Sequence, residues 1–244
     1  ALPARPITTQ YRESDWGFVT RLLAEAGLAW CIEQTQDGEA AHTLVVFDPA
    51  AERPALGSQR FHRSDIAEAR DGITAFAEQR QLVPNASSVA SWHSEQLTAV
   101  SGQSQAEAGA LPVLEVYVQP RAGRFAQAAL AADEAQARLD ALRVPMTLFQ
   151  GSGSVRTLAA GSAFTLTQHP QHEGQAFVLL AVAHAAVNNL GHGIVELLGE
   201  AALEQGSYRN RFVAAPHDTP IRALPQDRPT LHGPQTARVV GVAD

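Results

Sequence analysis

A helix with both ends written into its sequence, running straight into a strand, constrains the fold of this chain more than any other feature. In residues 11–27, Ser14 is placed to accept a hydrogen bond from the free backbone N–H groups of a first helical turn, and Asp15 puts negative charge at the positive end of the helix dipole. Phe18, Val19, Leu22, Leu23 and Ala26 then recur at helical spacing, and Gly27 supplies a left-handed stop. Residues 28–33 follow as an apolar run with no linker. Residues 42–47 form a second run beyond the turn signal Gln36, Asp37, Gly38. The two runs read as a hairpin against the helix.

Further along, residues 48–57 carry two prolines among small residues and read as a connector. The run that starts at Ile73 suits a strand or a short helix, with strand preferred. Residues 101–109 are polar and without period, which predicts a surface loop. Residues 111–118 predict a strand that Pro112 confines to a start or an edge. Residues 124–142 are Ala-rich, with Phe125, Ala128, Ala132, Ala135, Leu139 and Leu142 at helical spacing, so a second helix is expected there until Pro145.

Strands dominate what remains. Residues 155–167 hold two short runs separated by a bend at Gly161, and residues 168–174 are a polar turn. Residues 175–187 form the most apolar strand, expected to be covered on both faces. A short helix is expected near 194–203, a strand at 208–214, an extended proline-rich stretch from Pro216 to Pro234, and a last strand at 235–242. The fold class is therefore α+β and mainly antiparallel β, a barrel-like unit with a smaller helix–hairpin unit. The expected division is residues 1–55 for helix and hairpin, 56–215 for the barrel, and 216–244 for a linker that opens a further strand unit.

Composition narrows function mostly by exclusion. An apolar fraction of 45% with 18% charged residues is globular, and 244 residues suffice for a sizeable core. The formal charge is −7 with no Lys or Arg stripe, which argues against nucleic acid as a partner. The longest apolar stretch is too short for an integral membrane segment. Cys31 is the only cysteine, so it has no disulfide partner in the chain, and its apolar setting reads as a buried, inert thiol. The start at Ala1, without an initiator Met or a signal-peptide pattern, reads as a piece of something longer.

Chemistry-bearing groupings are weak. His169, His172 and Glu173 are zinc-type donors, but Pro170 sets them in a turn, away from the helical spacing that aligns two histidines on one face. No nucleophile elbow occurs, and Gly151 to Ser154 lacks the lysine of a phosphate loop and reads as a flexible hinge. Trp92 to Glu95 mixes acid, base and hydroxyl types, but neighbours along a strand point to opposite faces. Asp133 and Glu134 read as a solvated helix face. No catalytic residue, metal site or cofactor is assigned, and the expectation is a protein that is not an enzyme.

The pattern Y-x-E-S-D-x-x-F-x-x-R-L-L-x-E-x-G across residues 11–27 resembles that of the VgrG spike proteins of type VI secretion and of related phage-tail baseplate hubs. The likeness continues in order. His42 to Asp48 resembles a strand after the family helix, and Tyr117 to Phe125 a P-G segment entering a second helix that ends near Arg138 and Leu139. Arg156, Leu158, Gly161, Phe164 and Leu166 are similar to a v-R-x-L-x-x-G-x-x-F-x-L strand pair. Tyr208, Asn210, Phe212, Pro216, Pro220 and Arg222 match an exit segment, and Gly233, Gln235 and Ala237 the start of an OB-fold. Two departures stand out. Ser91 to Ser94 replace a D-Y-D-like segment, and residues 191–206 form a longer loop.

This resemblance implies a hub-like fold and a structural role for Tyr11, Glu13, Ser14, Asp15, Phe18, Arg21, Leu22, Leu23, Gly27, Gly161, Phe164, Asn210, Phe212, Pro216, Pro220, Arg222, Gly233 and Gln235. It further implies a homotrimer in the full-length protein, contacts with a secretion tube protein and with effector or adaptor proteins, and residence in the bacterial cytoplasm before firing and delivery into target cells afterwards. A first barrel, the rest of the OB-fold and a β-helical needle would lie outside the chain. A β-barrel hydrolase, an effector-binding adaptor and the hub of a contractile phage tail are the competing readings.

Overall fold

The computed structural model describes residues 8–34, 41–62, 70–187 and 207–241, except 227, 232, 235, 237 and 239. Helix α1 (Asp15–Glu25) is capped as its sequence demands, with Gly17 N–H donating to Ser14 Oγ at 3.1 Å. It ends in a Schellman turn: Leu28 N–H reaches the Leu23 carbonyl and Gly27 N–H the Ala24 carbonyl, both at 3.0 Å, with Gly27 at φ +69°. Strands β1 (Ala29–Gln34) and β2 (His42–Phe47) pair antiparallel, with Trp30 opposite Val46 and Ile32 opposite Leu44. The expected turn at 36–38 lies outside the described residues.

A six-stranded sheet forms the body of the chain, in the order β3 (Ala55–Arg60), β9 (Ala163–Thr167), β10 (Ala176–Ala186), β11 (Tyr208–Pro216), β8 (Thr147–Gly153), β4 (Ile73–Arg80). Only β3 with β9 is parallel. The sheet curls until its edges touch, where Phe61 bridges Ile73 and His62 N–H donates to the Ile73 carbonyl at 2.8 Å. Phe76, Phe149, Phe164, Phe177 and Phe212 fill the interior. Ring centroids are 5.0 Å apart for Phe76 with Phe149, 4.7 Å for Phe149 with Phe177 and 6.0 Å for Phe164 with Phe212. Phe76 and Phe149 stack and the other two pairs meet edge-to-face, and both arrangements add to the burial of large rings.

A second sheet orders β6 (Thr98–Gln105), β5 (Ala86–His93) and β7 (Glu115–Val118), and helix α2 (Ala128–Arg143) covers one face. A short 3-10 turn, Val144–Met146, joins α2 to β8. The overall class is the α+β, mainly antiparallel, barrel-like fold expected from the sequence.

Several local expectations are corrected. Residues 101–105, expected in a loop, belong to β6, whose inward positions are Val100 and Gly102. A Cβ on Gly102 would collide with the backbone of Ala131 and Ala132, so the small residue lets the helix lie directly on the strand. Strand β5 escaped assignment because its inward residues are Ser87, Val89 and Ser91, which shows no apolar alternation. The expected connector gives way to β3 at Ala55. Helix α2 starts at Ala128, later than expected, and buries Ala131, Ala135 and Leu139, while Ala128 and Ala132 are exposed. Residues 155–160 form no strand, although Val155 and Leu158 are buried. Strand β10 is buried only over Phe177–Leu179, and its later residues reach solvent.

Gly151 and Gly153 are strand residues, so the hinge reading fails. A Cβ on Gly151 would enter the ring of Phe212, its cross-strand partner, and one on Gly153 would strike the Gly72 carbonyl. The expected helix near 194–203 lies outside the described residues, as do 235, 237, 239 and 242 of the expected last strand, and its described positions, 236, 238, 240 and 241, are not in a strand.

The ring-over-glycine contact predicts that Gly151→Val destabilises the chain by roughly 1–3 kcal/mol through overpacking. Phe212→Ala is expected to cost about 3–5 kcal/mol through cavity formation. Urea unfolding followed by tryptophan fluorescence checks both. An unchanged midpoint for Gly151→Val would show that the ring has room to move.

Candidate functional site

The opening pattern of the chain and its exit pattern meet in one place, at the end of α1. Arg21, only 2% exposed, donates from Nε to Glu13 at 2.9 Å, from Nη2 to Glu13 at 2.6 Å and from Nη1 to Glu25 at 3.0 Å. Glu25 is shared, since Arg228 donates to its two oxygens at 3.0 and 2.9 Å. One turn on, Arg222 Nη1 donates to the Gly27 carbonyl at 2.7 Å, and its Nε donates to Asp140 of α2 at 3.2 Å. A cation there also faces the negative end of the α1 dipole. A Cβ on Gly27 would collide with the Arg222 guanidinium and force a side chain into left-handed backbone, so the glycine serves both the turn and the clamp.

Between α1, α2, residues 121–126 and the exit segment lies a cavity of about 1010 Å³. Its rim is organised by Ser91, whose Oγ donates to the Arg121 carbonyl at 2.7 Å and accepts from Arg124 N–H at 3.1 Å. Arg124 in turn pairs with Glu134 at 2.7 Å.

The hairpin presents a different surface. Its inner face brings Cys31 and Phe47 against Gly161, at φ +87°, where a Cβ would press on the Cys31 sulfur. Burial pushes the Cys31 thiol up, in line with an inert thiol. Its outer face leaves Ile32, Leu44 and Val46 exposed at 51%, 42% and 43%, and Trp16 of α1 stands edge-on to Trp30 at 4.8 Å. An apolar face of this kind is normally covered in the working protein.

The structure thus brings Glu13, Arg21, Gly27 and Arg222 to one seam, with Leu22 and Leu23 on the cavity wall, while Ser14 caps the far end of α1. It separates them from Phe164 and Phe212, which are barrel core, and from Asn210, whose Nδ2 donates to the Val155 carbonyl at 2.7 Å. Tyr11 and Phe18 are half-buried beside arginines, Asp15 accepts from Gln10 at 2.7 Å, and Pro216 ends β11. Pro220 is exposed, Gly233 adopts φ +102°, and Gln235 lies outside the described residues. His169 and His172 stack at 5.0 Å, and His169 Nδ1 accepts from Gln171 and His172 N–H at 3.2 Å, so the pair builds its own turn. Sequence reasoning gave no role to Glu25, although the opening pattern contains it, and missed Asp140 and Arg228. The Arg21 to Glu25 spacing of four was the available signal for the first.

The charge network has a pH signature. Hydrogen bonding from Arg21 holds the Glu13 carboxyl below its ordinary range, and the same bond raises Arg21. Glu13 therefore binds its proton more weakly folded than unfolded. Its contribution is complete above the ordinary carboxylate pKa and is lost as the pH falls through the lower folded value. Urea midpoints measured from neutral to acid pH are expected to fall less steeply for Glu13→Gln than for wild type. Parallel curves would deny the pair a role in stability.

The sequence matches a family model described as the phage tail baseplate hub (GPD) over residues 1–190. It is 28% identical over 249 residues to the type VI secretion system spike protein VgrG4b of Pseudomonas aeruginosa, covering 98% of this chain and 30% of that protein. The spike protein VgrG3 of Vibrio cholerae is 26% identical, over 97% of this chain and 23% of its own length. The chain spans less than a third of these relatives. Among solved structures, an E. coli type VI secretion component, described as similar to the T4 tail proteins gp27 and gp5, superposes with TM-score 0.59 at 14% identity. That match covers 95% of this chain and 45% of the other. A tail protein from Neisseria meningitidis gives TM-score 0.58 at 12% identity, over 90% and 59% of the two chains. With most of its length matched by the family model, a fold shared with tail proteins and spike proteins as sequence relatives, the chain belongs to the phage tail baseplate hub family.

Proposed function

We propose that this chain is part of the trimeric hub of a type VI secretion spike, joining the secretion tube to the membrane-puncturing needle and carrying effectors with it. In this reading the helix and hairpin of residues 1–55 and the barrel of 56–215 form the hub portion, and 216–244 leads into an OB-fold. Its work is assembly: binding free energy between subunits takes the place of transition-state stabilisation, and the chain is not an enzyme.

The observation that carries this reading is the exposed apolar face of Trp16, Ile32, Leu44 and Val46 beside the half-buried Trp30, in a chain whose family builds tail hubs. Such a face suits a permanent contact with another copy. The seam residues then act as structural supports that fix the angle at which this face is presented. The sequence relatives favour a secretion spike over a phage tail, although tail proteins share the fold. No described helix is long and apolar enough to cross a membrane.

Light scattering of the chain joined to the regions that its relatives carry beyond it is expected to give a trimer. Replacing Ile32 and Val46 together by Glu is expected to yield folded monomers, with the far-UV circular dichroism of wild type. A monomeric long form, or a trimer indifferent to these charges, would contradict the proposal.

A further inference from the structure

The cavity between α1 and α2 carries more positive charge on its wall than its neighbours neutralise. Arg124 is matched by Glu134 at 2.7 Å, Arg222 by Asp140 at 3.2 Å and Arg228 by Glu25 at 2.9 Å. Arg121 and Arg138 line the same space and form no ion pair among the described residues. The Nε of Arg138 is closed off from water and has no hydrogen-bond partner among the described residues. A buried donor left in that state is costly, and an acceptor arriving from outside would relieve it. The surplus is local, because the whole chain carries a formal charge of −7.

The rest of the wall selects among anions. Leu22, Leu23 and Leu130 line the cavity beside the arginines, and a volume of about 1010 Å³ is far larger than a single small anion needs. Glu25, Asp133 and Glu134 also lie on the wall, which disfavours a densely charged polyanion such as nucleic acid. The complementary object has sparse carboxylates and apolar side chains between them.

We propose that this cavity docks an acidic, leucine-bearing segment of a partner protein, with side-chain carboxylates on Arg121 and Arg138 and apolar side chains on Leu22, Leu23 and Leu130. Arginine's planar fork meets a carboxylate with two parallel charge-assisted hydrogen bonds, which gives both strength and direction. Recognition of acidic segments by arginine clusters is a recurring mode of peptide binding. The site stands on this cavity alone and requires no trimer.

The test is fluorescence anisotropy with the full chain, using a labelled amphipathic peptide of leucine and glutamate and its glutamine counterpart. The glutamate peptide is expected to bind about tenfold more tightly than the glutamine one, and Arg138→Gln or Arg121→Gln to weaken it by about tenfold each. Arg121 is exposed, so its variant keeps the fold, and a melting curve confirms that of Arg138→Gln. Arg80→Gln, outside the cavity, is expected to bind as wild type does. No binding of the glutamate peptide, equal binding of both peptides, or an Arg80 effect as large as the cavity variants' would each overturn the proposal, whatever the oligomeric state.

Discussion

Arg222 is the residue on which the arrangement of this chain turns. Its guanidinium reaches back 195 residues to the carbonyl of Gly27 and, with its Nε, holds Asp140 of the second helix. The need for that anchor follows from how little else joins the helix and hairpin to the rest. The barrel has its own aromatic core, and the three-stranded sheet has another against α2, but neither cluster includes a residue of α1, β1 or β2. Polar anchors and the close approach at Gly161 fasten that unit. Ion pairs in such a position contribute modestly to stability, because desolvation offsets much of their attraction. Their directionality is what an assembly protein needs, since it fixes one angle between two units.

Small residues determine how the apolar layers meet. Gly102 lets α2 lie on β6, Gly151 makes room for the Phe212 ring, and Gly161 admits Cys31. In each case a side chain or a backbone occupies the space a Cβ would need. The packing of the chain is thus set as much by where bulk is absent as by its phenylalanines. The outer face of the hairpin is the exception, with large apolar side chains left in water.

How much of this was legible in the sequence varied with the physical signal. Helix α1 was readable to the residue, because Ser14 and Gly27 mark its ends chemically. Most barrel strands were readable because their inward side chains are large and apolar. Strands β5 and β6 were not, since serine and glycine take the inward positions and the alternation that betrays a strand is missing. At the seam, Arg21 and Arg222 stood out through their place in a family pattern. Glu25 was signalled only as a partner four residues from Arg21, whereas Asp140 and Arg228 had meaning only once the chain brought its two ends together, and no local rule links positions 25 and 228.

The most direct test of this account is amide hydrogen exchange of Arg222→Ala against wild type, read by mass spectrometry. If Arg222 fastens the helix–hairpin unit, amides of α1 are expected to exchange about tenfold faster in the variant, while those of β8, β10 and β11 keep their protection. Unchanged exchange in α1 would contradict the account, because something other than the Arg222 clamp would then hold the helix in place.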